Sequence, residues 1–494
     1  MKKLFFMLML IPVAGISFAE MIPGNVDPAD VHQCITADNG SVKQADSIAP
    51  DQTGMRNLNS VELSKEMVPG WNVGNSLDAV GGETQWGNPL ISQRLIDSVK
   101  AAGFKAIRIP VAWSRFTDAD NFVIDTLWMN RVEEVVNYVL SDSLYAIINI
   151  HWDGGWMQPT YAMQDYVNNR LAIMWHQIAV HFRDYDDRLL FAGTNEVMVE
   201  GDYGTPIPEY YTVQNSFNQT FVSTVRSTGG RNYYRHLVVQ GFNTNINNTV
   251  SFFKAPYDPT ADRLMVEVHY YDPYNFALNT ASSITQWGKY ATDPAKTENW
   301  ANEAYADSQF QKMKAKFVDH GLGVVLGEYG AVSRTNLGSA VLNAEYAMYR
   351  RYYVEYITQS IVKKESVPFY WDSGYTGDHA FGLFNRYSGA QAHPDMIKAI
   401  IRGCDTNHII SHFGQVDQEL FRLYPNPVRE MMIIEIFDNT IHTGQLLNAN
   451  GQLIRQLSME YGINELELNE LEAGLYFIIL HGSGGTIIQK VMKN

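Results

Sequence analysis

Two glutamates stand where a carboxylate is expensive to put. Glu196 closes the run "LLFAGTNE" (189–196), and Glu328 lies near the end of "GVVLGEYG" (323–330). Each follows an apolar stretch that reads as a buried strand. A carboxylate left unpaired in such a place costs several kcal/mol or is driven neutral. A pair of them has a use. In glycoside hydrolysis one carboxylic acid protonates the leaving oxygen, while an ionised partner attacks the sugar or activates water. Either glutamate alone reads as a solvated cap or an ion-pair partner; at the ends of two strands they read as a catalytic pair.

Other polar and aromatic residues fall at equivalent places. Asn75, Arg108, His151, Asn195, His269, Tyr271 and Trp371 all lie within the last positions of similar runs. These are "GWNVGN" (70–75), "AIRIPV" (106–111), "YAIINIH" (145–151), "LLFAGTNE", "HLVVQGF" (236–242), "LMVEVHYY" (264–271), "GVVLGEYG" and "VPFYWDSG" (367–374). Stretches with apolar residues three and four apart separate several of them, such as "MNRVEEVVNYVLSDS" and "LAIMWHQIAVHFRDY", the pattern of amphipathic helices. Eight strand–helix units predict a (β/α)8 TIM barrel, whose active sites form at the C-terminal ends of the strands. No glycine-rich phosphate loop follows the first strand, which sets aside a doubly wound sheet. Arg108, placed beside Glu328, is expected to hold that carboxylate ionised. Trp371 and Tyr271 are expected to floor a sugar site, and Trp86, Trp113, Trp152, Trp156 and Trp287 are candidates to line its groove.

Composition narrows the partners. The 37 basic against 53 acidic residues leave a net charge of −16, which argues against nucleic acid. The histidines show no His-x-His or His-Glu-x-x-His spacing, so no metal is expected. No G-x-S-x-G elbow suggests a serine nucleophile. Residues 1–19, "MKKLFFMLMLIPVAGISFA", read as a secretory signal peptide, and no later segment is apolar and long enough to span a bilayer. Cys34 and Cys404 flank the barrel region. A disulfide stapling its ends is one reading, and two separate buried thiols are the other.

The motifs "GWNVGNSLDA", "ETQWGNP", "IRIPVAW", "INIHWDGGW", "TNEV", "VHYYDPYNF", "LGEYGA" and "FYWDSG", in this order over roughly residues 55–404, resemble glycoside hydrolase family 5. They look most like its endoglucanase branch, subfamily 4, which acts on β-1,4-glucans, mixed-linkage β-glucans and xyloglucan. The resemblance implies a retaining, cofactor-free mechanism. By the match of "TNE", Glu196 would be the acid/base and Asn195 would bind the sugar 2-hydroxyl. By the match of "GEYG", Glu328 would be the nucleophile. Arg108, His151, His269 and Tyr271 would complete the polar shell, with Tyr271 orienting the nucleophile and Trp371 as the stacking platform. The pattern departs at Trp152, where relatives often carry a second histidine, and the departure is expected to reshape the glycone side.

Residues 20–54 read as an extension, 55–404 as the catalytic barrel, 405–420 as a linker and 421–494 as a small β-sandwich with a turn at Asn450-Gly451. A carbohydrate-binding module is one reading of this tail. It has few aromatics, and Tyr476 and Phe477 sit in an apolar strand. "YPNP", "AGLYFIIL" and the final "QKVMKN" resemble the C-terminal sorting domain of type IX secretion cargo. That resemblance implies passage through the outer membrane and a partner in the secretion machinery. The whole reads as a monomeric, secreted or surface-attached endo-β-1,4-glucanase. A xylanase or mannanase with the same catalytic shell, a dead glycan-binding barrel and a metal-dependent hydrolase are the alternatives.

Overall fold

A computed structural model describes residues 47–408, 410, 420–482 and 485–494. The signal peptide, Cys34 and most of the linker lie outside the described residues. Eight strands close a parallel barrel: β1 (Gly70–Val73), β2 (Ala106–Ile109), β3 (Tyr145–Asn149), β4 (Leu189–Ala192), β5 (Leu237–Gln240), β6 (Leu264–Tyr270), β7 (Gly323–Tyr329) and β8 (Val367–Asp372). All eight predicted runs are strands of it. Each is buried on both faces, which is why they read as near-continuous apolar stretches.

Alternation along the strands divides the residues between two layers. Trp71, Val73, Ile107, Ile109, Val266 and Val268 join the core shared with the surrounding helices. The helix Thr126–Ser141 contributes Trp128, Val132, Val135, Val136 and Val139 to that core from one stripe. The inward set begins apolar, with Ala106, Tyr145, Ile147, Leu190, Val238, Met265, Val325 and Phe369 packed together. A short helix, Ser60–Glu66, opened by a capping box of Asn59 and Glu62, adds Leu63 to this interior cluster, as does Met67 just beyond its end. Above the apolar set the inward positions turn polar, at Asn72, Arg108, Glu267 and His269.

One strand breaks the alternation. Val268 pairs with Leu326, but the next residue, His269, pairs with Glu328. The opposite neighbour skips in the same way, from Pro368–Leu326 to Tyr370–Tyr329. β7 thus carries one extra residue at Gly327, a bulge of the kind that re-aims a side chain. Strict alternation from the inward Val325 would turn Glu328 toward the helices; the bulge turns it into the barrel mouth.

The tail forms two antiparallel sheets. One orders β9 (Phe421–Tyr424), β10 (Met431–Ile436) and β13 (Gly462–Glu467). The other orders β12 (Leu453–Ser458), β11 (Thr443–Asn448), β14 (Gly474–Gly482) and β15 (Gly485–Lys493). Val428, Met432, Ile434, Leu446, Ile478 and Leu480 fill the space between them. The Asn450-Gly451 turn joins β11 to β12, with Gly451 in the left-handed region and the Asn448 side chain accepting from the Asn450 and Gln452 amides. Tyr476 packs against the sandwich core, while Phe477 joins Leu447 and Ile479 against Val341, Ala344 and Met348 of the barrel helix Ala340–Val362. Cys404 donates its thiol to the Ile400 carbonyl at 3.2 Å and has no disulfide partner among the described residues.

Candidate active site

The polar inward positions converge on Arg108, which is wholly buried. Its Nη1 donates to Asn72 Oδ1 at 3.0 Å and Glu328 Oε1 at 3.1 Å. Its Nη2 donates to Asn195 Oδ1 at 2.5 Å and lies 3.0 Å from Glu267 Oε1. Such a planar fork can hold several acceptors in fixed directions. Asn72 Nδ2 donates to the Gly327 carbonyl at 2.8 Å, so the same asparagine braces the bulge and the arginine. Gly327 itself leaves no room for a side chain: an added Cβ would lie 1.9 Å from Glu267 Oε1.

His269 lies between the carboxylates. Its Nδ1 is 2.7 Å from Glu196 Oε1 and 3.7 Å from Glu328 Oε2, and its Nε2 is 3.1 Å from Glu267 Oε1. Burial alone would lower its pKa, but Glu328, Glu196 and Glu267 together lift it to about 9. The ring is therefore an imidazolium at neutral pH, donating from both nitrogens. Burial opposes the charge on Glu267 too, yet Arg108 and His269 hold its pKa below the ordinary value. Glu328 differs. Burial and the neighbouring Glu196 charge lift it to about 7, against the pull of His269 and Arg108. Arg108 thus meets Glu328 as expected from sequence, but desolvation outweighs its effect.

Tyr271 Oη donates to Glu328 Oε2 at 3.2 Å. Burial and the Glu328 charge push its phenol well above 10, so it stays a donor. Asn149 accepts from the Val111 amide through Oδ1 and reaches His151 Nδ1 through Nδ2 at 3.2 Å. That arrangement assigns the His151 proton to Nε2. Burial, Arg108 and His269 hold His151 well below 6.5 and neutral. Its ring lies parallel to Trp371 with centroids 5.8 Å apart. Trp371 is only 4% exposed and packs with Val332 and Phe381 beside Tyr271. Asn75 stands apart. It is half-buried, with φ +56°, its backbone bonds go to Asp78 and Asn88, and its Oδ1 meets no partner among the described residues.

Glu196 has φ +46°, a left-handed conformation that costs a non-glycine residue about 1–2 kcal/mol. Its side chain keeps 34% of its surface exposed, unlike the sealed Glu328. A carboxylate oxygen of Glu196, a ring nitrogen of His269 and a carboxylate oxygen of Glu328 all lie within 4.8 Å of one another. A cation there would have to displace the proton that His269 shares with these carboxylates. Of the five candidate tryptophans, Trp113 and Trp287 are core residues and Trp86 and Trp156 are half-buried, whereas Trp152 is exposed and borders the same depression as Glu196.

Sequence reasoning missed Glu267 and Asn72. Both were legible in principle. Met265, Glu267, His269 and Tyr271 are spaced by two along one strand, so an inward His269 implies an inward Glu267.

Residues 72–377 match the model of cellulase, glycosyl hydrolase family 5. The chain belongs to that family. The xyloglucan-specific endo-beta-1,4-glucanase of Bacteroides ovatus is 44% identical over 371 residues, covering 72% of each chain. The solved structure of a Bacteroides ovatus GH5 xyloglucanase with a XXXG heptasaccharide superposes with a TM-score of 0.70 at 43% identity, over 73% of this chain and 79% of that one. A GH5-4 broad specificity endoglucanase from Bacteroides salanitronis gives 0.66 at 38% identity, over 71% and 98%. Residues 422–494 match the secretion system C-terminal sorting domain, so this family 5 hydrolase is a type IX secretion cargo, released or surface-attached. No described helix is long and apolar enough to cross a membrane.

Proposed function

We propose that the protein is a retaining endo-β-1,4-glucanase that cleaves by double displacement. The observation that carries this reading is the approach of Glu196 and Glu328 to within 4.8 Å across His269. Retaining glycosidases hold their carboxyls about 5–5.5 Å apart, whereas inverting ones need about 6.5–9.5 Å to seat a water.

Charge in the buried cluster supports the division of roles. Arg108 and His269 are positive and Glu267 is negative, so neutrality is reached when one of Glu196 and Glu328 is ionised and the other holds a proton. Glu328, facing Arg108 and Tyr271, is the ionised nucleophile and attacks the anomeric carbon. The glycosidic C–O bond breaks as its oxygen takes the Glu196 proton. The ester removes the charge from Glu328 just as Glu196 gains one, so the cluster's net charge does not change. His269, bonded to Glu196 and near Glu328, faces the charge in both states. Glu196 then takes a proton from water, whose oxygen displaces Glu328 and restores the configuration. Asn195, its Oδ1 held by Arg108, keeps its amide N–H groups for a sugar hydroxyl.

The catalytic unit acts as a monomer on an extended β-1,4-glucan, and the names of its relatives support cellulosic glucans or xyloglucan over xylan and mannan. The N-terminal signal peptide starts its export and the tail is removed in the course of it. The test is reducing-sugar release from carboxymethylcellulose, barley β-glucan, xyloglucan, xylan and mannan, with Glu328→Gln alongside, and NMR of the first-formed anomer. Activity on glucans with β product, lost in the variant, is expected. An α product would refute retention, and activity on xylan or mannan alone would refute the glucan assignment.

A further inference from the structure

Trp152 is an exposed indole on an unusually firm mount. It is 36% exposed, and the three residues after it, Asp153, Gly154 and Gly155, all have positive φ, at +54°, +82° and +75°. Asp153 is buried and binds the loop to its neighbours. Its Oδ1 accepts from the Trp113 and Ser114 amides at 2.7 Å each, and its Oδ2 from Trp156 Nε1 at 2.9 Å. The loop then folds back so that a Cβ on Gly155 would lie 3.4 Å from the Trp152 ring. The indole rests against bare backbone. Three left-handed residues in succession are costly outside glycine, and what they secure is the orientation of a ring that faces solvent.

That ring borders a depression shared with Asn195, Glu196, Met198, Glu200 and Tyr203. Glu328, Tyr271 and Trp371 do not border it. The depression therefore runs from the acid/base away from the nucleophile, in the direction taken by the departing half of the chain. We infer that Trp152, with Tyr203 nearby, forms the stacking surface for the sugar on the leaving-group side. This rests on the roles proposed above for Glu196 and Glu328. It moves the effect of the Trp152 departure from the glycone to the aglycone side. A flat indole suits the apolar face of a pyranose and gives no hydrogen bonds that select one hydroxyl pattern.

The experiment compares kcat/KM of wild type, Trp152→Ala and Trp152→Phe on two substrates. One is cellohexaose, which fills both sides of the cut. The other is β-cellotriosyl fluoride, whose leaving group is a single atom and fills nothing beyond Glu196. Trp152→Ala should lose roughly 10-fold or more on cellohexaose and stay within about 2-fold of wild type on the fluoride, with Trp152→Phe between the two on the oligosaccharide. Normal fluoride hydrolysis also shows that the variant is folded. Equal losses on both substrates, a loss on the fluoride alone, or no loss on either would overturn the assignment. Wild-type silence on both substrates would instead overturn the glucanase reading and this inference with it.

Discussion

Replacing Tyr271 by Phe removes one oxygen from the Glu328 environment and leaves the ring in place. The bond it removes, Oη to Glu328 Oε2 at 3.2 Å, is longer than the usual 2.7–2.8 Å of O–H···O bonds. It therefore falls below the usual range for a bond to a charged acceptor, at about 1 kcal/mol net. That energy favours only the ionised form of Glu328. At about 1.4 kcal/mol per pKa unit, its loss raises the carboxyl by ~0.7 unit. Glu328 already sits near 7 in the free enzyme, and the nucleophile must be ionised to attack. The acid limb of kcat/KM on an aryl β-cellobioside should thus move to higher pH by ~0.7 unit, and well below the limb the variant should lose ~5-fold more than on the plateau. The profile would be recorded between about pH 4 and about pH 9 with enzyme stability checked at each point. A loss of equal proportion at every pH would refute the reasoning and make Tyr271 a substrate contact rather than a tuner of the nucleophile.

Gly327→Ala drives a methyl against Glu267 Oε1 and must break the contacts of Glu267 with Arg108 and His269; a loss of about 3–5 kcal/mol in urea unfolding and a collapse of turnover are expected, and full activity would show that the bulge tolerates a side chain. The pKa of His269 is raised from 6.5 to about 9 on folding, so its charge stabilises fully below 6.5 and the contribution fades as pH rises through 9. The difference in melting temperature between wild type and His269→Gln should accordingly be largest below about pH 6.5 and shrink toward alkaline pH; a difference that grows with pH would contradict a cationic ring.

The barrel was legible because strands buried on both faces leave uninterrupted apolar runs, and helices between them leave a different period. The reacting residues were legible for a related reason: polar side chains are conspicuous at the ends of such runs. Glu267 was overlooked because it lies within its run rather than at the end, where a single charge reads as an interruption. The left-handed backbone of Glu196 has no signature in composition, since nothing about "TNEV" distinguishes it from an ordinary strand end. The helix Ser60–Glu66 was absorbed into the region before the first strand, although Asn59 and Glu62 carry its capping pattern. Trp371 looked like an open platform and lies almost wholly covered, because Val332 and Phe381 from the neighbouring loops close around it.

The extra residue in β7 makes the aim of one carboxylate a matter of counting. Let the strand pair regularly there with no residue lost and it keeps its apolar character and its neighbours, but the parity changes and the glutamate turns toward the outer helices. Such a barrel would retain both acidic residues in its sequence, in recognisable surroundings, with only one of them in the mouth. Among descendants of this enzyme, a glycine kept at position 327, where a side chain would strike Glu267, is a guide to surviving activity alongside the glutamate itself.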